Sequence, residues 1–152
     1  MTGTASHADV SAAVDQALAL VRAVSGADRC SLSVWRSYGG TDLWSLDESG
    51  PEFRHLPIVS PQLLDHFNRH PVAERRRDLA ESAFRSDNSL HGKGYAEVIR
   101  APLADSTGKV FGVLNLIRKK PGERDRDVAF AGAMGQALAL VVAEEQPGNG
   151  PQ

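Results

Sequence analysis

Val98-Ile-Arg-Ala-Pro-Leu-Ala-Asp-Ser-Thr-Gly-Lys-Val-Phe-Gly-Val-Leu-Asn-Leu-Ile-Arg118 is the stretch whose reading decides the fold. Two nearly continuous apolar arms flank Asp105-Ser106-Thr107-Gly108, whose short polar side chains and glycine suit a tight turn, so the segment reads as a β-hairpin. A strand with one wet face alternates apolar and polar residues. These arms do not, so both of their faces must be covered and the hairpin belongs in the middle of a sheet. One cover follows at once: Glu123 to Glu145 reads as a long helix rich in Ala and Gly, and small residues let a helix lie close against another backbone.

The rest of the composition narrows the class. At 152 residues, 41% hydrophobic and a net charge of −2, the chain suits one globular domain. Balanced charge gives no reason to expect nucleic acid, because basic residues cluster only in Arg75-Arg76-Arg77 and Arg118-Lys119-Lys120. No apolar run reaches the roughly 20 residues of a membrane span and no signal segment is evident, so a cytoplasmic protein without membrane contact is expected. The single cysteine, Cys30, cannot form an internal disulfide, a zinc site or a dithiol couple by itself, and reads as a small core residue.

In chain order, residues 1–7 are expected to be loose, 8–145 to form the domain and 146–152 to be a disordered tail. Ala8 to Ser25 carries Val10, Val14, Ala17, Val21 and Val24 at helical spacing. Leu18 and Leu20 widen that stripe enough for a second partner helix, in this chain or another subunit, while Ser6 or Asp9 suits the cap and Ser25-Gly26 the stop. Arg29 to Arg36 alternates, with Cys30, Leu32 and Val34 on the side expected to face helices and Ser31, Ser33 and Trp35 on the other. A turn at Ser37 to Thr41 leads to a shorter strand, Asp42 to Glu48. Three prolines between Ser49 and Pro61 predict a loop crossing one face of the sheet. Ser60-Pro61-Gln62 starts a brief helix with Leu63, Leu64 and Phe67 on its apolar side. Val72 to Asp78 is expected to be a charged edge strand, and Leu79 to Tyr95 a loop with one helical turn.

This order, together with Ala27-Asp-Arg-Cys-Ser-Leu-Ser-Val34, Val98-Ile-Arg-Ala-Pro-Leu103 and Gly108-Lys-Val-Phe-Gly-Val-Leu-Asn-Leu116, resembles the GAF domain family over roughly Ala8 to Glu145. The resemblance implies an α+β fold: a five- or six-stranded antiparallel sheet in the order 2-1-5-4-3, with the terminal helices on one face and loops and short helices enclosing a pocket on the other. It further implies small-molecule binding or dimerisation within signalling systems, with a signalling protein or kinase as a possible partner.

The polar residues expected near that pocket are Trp35, Arg76, Arg85, His91, Tyr95 and Arg100. Arg100 interrupts the apolar run of a middle strand, where a bare guanidinium is costly, so it needs an acid, a ligand or solvent. Several arginines with a histidine favour an anion, since the guanidinium fork matches carboxylate, nitrate or phosphate. A structural ion pair is the plainer alternative. A second alternative is a domain without a ligand, its pocket filled by Trp35, Phe53, Phe67 and Phe84 and its terminal helices serving protein contact. The glycines of His91-Gly92-Lys93-Gly94 suit a mobile lid better than a phosphate loop.

Catalysis has little support, because Cys30 has no histidine nearby in sequence to activate it. The family branch that reduces free methionine sulfoxide uses several cysteines, and this chain has one. His55, His66, His70 and His91 lack the paired spacing of a zinc site, apart from His66 and His70 one helical turn apart. Cyclic-nucleotide-binding members carry Asn-Lys and a Phe where this chain reads Arg118-Lys119-Lys120-Pro121, which argues against that ligand. Bilin-binding members attach pigment through a pocket-loop cysteine, which Cys30 is not. Haem stays open, with His55 or His91 as axial ligand.

Overall fold

The computed structural model describes residues 6–57 and 60–143, in the order α1 (His7–Ser25), β1 (Arg29–Trp35), β2 (Thr41–Asp47), β3 (Gly50–Leu56), α2 (Pro61–Arg69), β4 (Glu74–Arg76), α3 (Arg85–Gly92), β5 (Glu97–Ala104), β6 (Val110–Arg118) and α4 (Arg126–Val142). The expected tail at 146–152, the last residues of the expected final helix and most of the expected loose start lie outside the described residues. The decisive turn is built by Asp105. Its Oδ1 accepts hydrogen bonds from the Thr107 amide at 2.9 Å, the Thr107 hydroxyl at 2.6 Å and the Lys109 amide at 3.1 Å, while Gly108 takes a φ of +88°. The Thr107 hydroxyl bond is the main reason that the Asp105 carboxyl is held below the usual carboxylate range.

All six strands pair antiparallel in the order β3-β2-β1-β6-β5-β4. This is the expected five-strand order with one strand added outside β2. The hairpin arms β5 and β6 are interior, and α1 and α4 cover one face. Cys30, Leu32 and Val34 of β1, Trp44 of β2, Ile99, Ala101 and Leu103 of β5 and Leu114 and Leu116 of β6 form one core with Val10, Val14, Leu18 and Val21 of α1 and Ala131, Leu138, Ala139 and Val142 of α4. Trp44 Nε1 also donates to Ser11 Oγ at 2.9 Å, fastening α1 to β2. On α4 the small residues serve close approach: a Cβ at Gly135 would lie 3.1 Å from the Pro102 carbonyl oxygen and 3.2 Å from Ala101 Cβ.

Three expectations are corrected. The segment after Ser49 is not a loop over the sheet but the edge strand β3, paired from Thr41↔Leu56 to Asp47↔Gly50. Leu79 to Tyr95 holds a helix of two turns, α3, rather than one turn. On α1 the buried stripe runs Val10, Val14, Leu18, Val21, and Val24 is exposed. The stripe continues from Val21 to the buried Ser25, four residues on, which leaves Val24 off the buried face. Ser6 caps α1 through a bond from the Asp9 amide at 3.1 Å, and Gly26 ends it with a φ of +70°.

A buried charge cluster closes one end of the helix-covered face. Glu97 is 0% exposed and lies 3.3 Å from Arg75 Nε, 3.0 Å from Arg77 Nε and 3.2 Å from Arg118 Nη1. Arg118 Nη2 reaches Asp127 at 2.8 Å and the Ser25 carbonyl at 2.5 Å, so one guanidinium joins the end of α1, the hairpin and the start of α4. Burial alone would raise the Asp127 pKa, but the Arg118 hydrogen bond and the Arg118 and Arg124 charges outweigh it and hold the carboxyl below the usual range. Asp127 therefore contributes stability that is present above about pH 4, its unfolded range, and is lost as pH falls through its lower folded value. Arg118→Met removes one cation from each of two buried carboxylates, with Arg75 and Arg77 still on Glu97 and Arg124 still 3.3 Å from Asp127, and should cost about 2–3 kcal/mol in urea unfolding at pH 7. Asp127→Asn should flatten the loss of stability below about pH 4.

Candidate functional site

Strand register decides what the other face presents. With side chains alternating across each strand, Ser31 (β1), Asn115 (β6), Arg100 (β5) and Glu74 (β4) fall in one row, through the pairs Ser31↔Asn115, Arg100↔Asn115 and Glu74↔Arg100. On one side of this polar row lie Leu43, Ser33 and Val113, and on the other Ile117 and Val98. Helix α2 sits over the face, its Asn68 accepting from the Val110 amide at 3.0 Å and its Leu63 and Phe67 packing with Trp35, Val110 and Val113. Helix α3 lies over the polar row.

Between sheet and helices is a cavity of about 470 Å3, in the range of small-molecule sites. Its floor is Ser31, Ser33, Asn115, Arg100, Leu43, Val113 and Ile117, and its walls include Trp35, Leu63, Ser86, Ser89 and Leu90, with Arg85 and Lys93 exposed at the rim. Three cationic side chains line it and no acidic one does. Arg85 and Lys93 have no ion-pair partner among the described residues.

Arg100 is already engaged. It is 3% exposed, with Nη1 2.5 Å from Asp87 Oδ1, Nε donating to Asn115 Oδ1 at 3.0 Å and Nη2 3.5 Å from Ser86 Oγ. Burial pulls its pKa down and the Asp87 charge pushes back, and the guanidinium stays protonated. Asp87 is the one buried residue of α3 and also accepts from Ser82 Oγ at 2.6 Å. Behind this pair, Arg76 lies 3.9 Å from Asp87 and 3.6 Å from Glu74, with its guanidinium 4.6 Å over the Phe84 ring, and Glu74 is bonded to His66.

Of the six residues singled out in sequence, Trp35, Arg85 and Arg100 thus share the pocket. Arg76 lies outside its lining, paired at the edge. His91 and Tyr95 line a separate cleft of about 450 Å3 with Arg77, Asp78 and Glu81. Phe53 is across the sheet, 5.0 Å from the Trp44 ring, and Phe84 edges a neighbouring groove. The lining residues not singled out include Ser31, Asn115 and Lys93. Asn115 carries a readable signal, since it interrupts one apolar arm of the hairpin just as Arg100 interrupts the other. Cys30 lies on the helix-covered face, 0% exposed, its thiol pushed up to about 12 by burial. His55 binds Asp42 at 2.6 Å on β3, away from the pocket, and among the described residues no three metal-ligating side chains cluster.

A six-stranded antiparallel sheet with paired helices on one face and a helix-roofed pocket on the other defines the fold as α+β. The GAF domain model matches residues 9–142, and the chain belongs to the GAF domain family. Similar solved structures include the GAF domain of a two-component sensor histidine kinase from Bacillus halodurans (17% identical, TM-score 0.69, covering 92% of this chain and 95% of that one). A GAF domain/HD domain protein from Geobacter sulfurreducens is 18% identical with a TM-score of 0.67, covering 89% and 92%. The GAF domain of a phosphoenolpyruvate-protein phosphotransferase from Coxiella burnetii is 16% identical with a TM-score of 0.68, covering 88% and 82%. At these identities the likeness is one of fold. No curated protein sequence matches the chain.

Removing either member of the buried Arg100–Asp87 pair leaves the other charge without its partner. Arg100→Ala and Asp87→Ala should each cost about 3–5 kcal/mol. The double variant should cost clearly less than the sum, as a urea-unfolding double-mutant cycle would register.

Proposed function

We propose that the chain is a regulatory sensor domain that binds a small anionic molecule in the pocket between the sheet and helices α2 and α3. The observation that carries this is the lining: three cations, no acid, and two of the cations unpaired at the rim. Arg100, although it lines the floor, is largely neutralised by Asp87. The first electrostatic contact with a ligand therefore belongs to Arg85 and Lys93, with Trp35 walling the apolar end. Arg76, paired with Glu74 and Asp87, and His91 and Tyr95, which line the separate cleft, have no part in this contact. A binding role is favoured over catalysis because no cysteine, histidine or carboxylate lines the cavity to serve as nucleophile or base. The same absence of lining cysteine and histidine argues against a thioether-linked bilin and an axially ligated haem there.

The domain homodimerises through α1 and α4 and acts in the cytoplasm on a signalling protein such as a kinase, as the sensor-kinase origin of a structural relative suggests. Leu20 and Val24 of α1 and Leu140 of α4 are 52%, 46% and 77% exposed, large apolar side chains that a helix-mediated contact would cover. No helix of the described residues is long and apolar enough to cross a membrane.

Two measurements test these proposals. Benzoate, as a probe anion, should raise the melting temperature of the wild-type domain, and Arg85→Glu with Lys93→Glu should abolish the shift while leaving the unliganded stability within about 0.5 kcal/mol of wild type. Loss of the shift should also follow from high salt. Light scattering should report a dimer that Leu20→Glu or Leu140→Glu converts to monomer; a monomeric wild-type protein at high concentration would count against the dimer.

A further inference from the structure

The hydrogen bonds along the pocket floor have a fixed direction, and the last group in the row is left with a proton to give. A guanidinium carries only donors, so Arg100 Nε donates to Asn115 Oδ1 at 3.0 Å and that contact decides which way the amide faces. Asn115 Nδ2 is thereby turned toward β1, where it donates to Ser31 Oγ at 3.2 Å. Ser31 accepts that bond, and its own O–H has no acceptor among the described residues, although the residue is only 6% exposed and lines the cavity. A buried donor of this kind is satisfied by what occupies the pocket.

We infer that Ser31 is a specificity-determining contact that donates a hydrogen bond to a neutral acceptor on the ligand, with Asn115 and Arg100 as positioning residues that set the direction of that bond. This rests on the anion-binding proposal above and narrows it to acids that carry a second, carbonyl-type acceptor, such as oxo or acyl acids, over plain carboxylates and inorganic anions. Arg85 and Lys93 take the carboxylate at the rim. The hydrophobic side chains that flank the polar row, Leu43, Val113 and Ile117, take the carbon skeleton. Arg100 in this arrangement orients rather than binds.

Titration calorimetry on the whole chain tests this with 3- and 4-acetylbenzoate against 3- and 4-isopropenylbenzoate, in which a methylene replaces the carbonyl oxygen. One acetyl probe should bind wild type about tenfold more tightly than its isostere, the size expected for one hydrogen bond to a buried group. That preference should vanish in Ser31→Ala. It should vanish as well in Asn115→Asp, where the new carboxylate pairs with Arg100 and accepts the Ser31 proton, leaving the serine in place with its donor engaged. A purely structural serine would leave the ratio unmoved in both variants. Equal binding of acetyl and isopropenyl probes to wild type, or a preference that survives either substitution, overturns the assignment of Ser31 while anion binding stands. Failure of all four probes to bind wild type overturns anion binding and the assignment together.

Discussion

The pairing of β6 with β1 on one side and β5 on the other is the constraint on which the rest depends. Because side chains alternate across a strand, this register sends Leu114 and Leu116 into the helix-covered core and Val113, Asn115 and Ile117 to the pocket floor. A slip of one residue would bury Asn115 among leucines and valines and empty the polar row. The Asp105 turn pins that register at one end, and Arg118, locked to Glu97 and Asp127, pins it at the other. Pocket chemistry and core packing are therefore two readouts of one alignment.

The same alternation sorts the charges. In β4, only three residues long, Glu74 and Arg76 serve the pocket side while Arg75 turns to the opposite face and meets Glu97. Arginines adjacent in sequence thus support two separate buried acids, Asp87 under the roof of the pocket and Glu97 at the end of the core. Each acid is 0% exposed, where an unpaired carboxylate would be prohibitive, so the arginines are required by the acids as much as the reverse.

Much of this was legible in the sequence, and the parts that were not have physical reasons. The hairpin, its turn, the Ser6 and Gly26 caps of α1 and the two-sidedness of β1 follow from periodicity and turn chemistry acting locally, whereas Ser60, expected to cap α2, makes no side-chain cap bond. Strand β3 was obscured by Pro51, which is tolerated because an edge strand needs no N–H on its outer side. Helix α3 was obscured because its anchor is an aspartate: Arg85-Ser-Asp-Asn-Ser-Leu90 has no apolar stripe, and its one buried residue is polar. The candidate His91 misses the pocket that its neighbour Leu90 lines because one helical step rotates the two into different cavities. Arg100 was conspicuous as a charge in an apolar run, yet its partner Asp87 lies in the segment whose helix was not evident. Ser31 needed the register itself to be noticed.

The closeness of α4 to β5 has a mechanical meaning. Where Gly135 lies against the Pro102 carbonyl and Ala101, no layer of rotatable side chains separates helix from strand, so nothing there can deform to absorb a displacement. Two positions along that strand from Pro102 is Arg100, under the cavity roof. A shift of this strand at Ala101 and Pro102 would therefore press directly on the backbone of the last helix, with no side chain between them to cushion it.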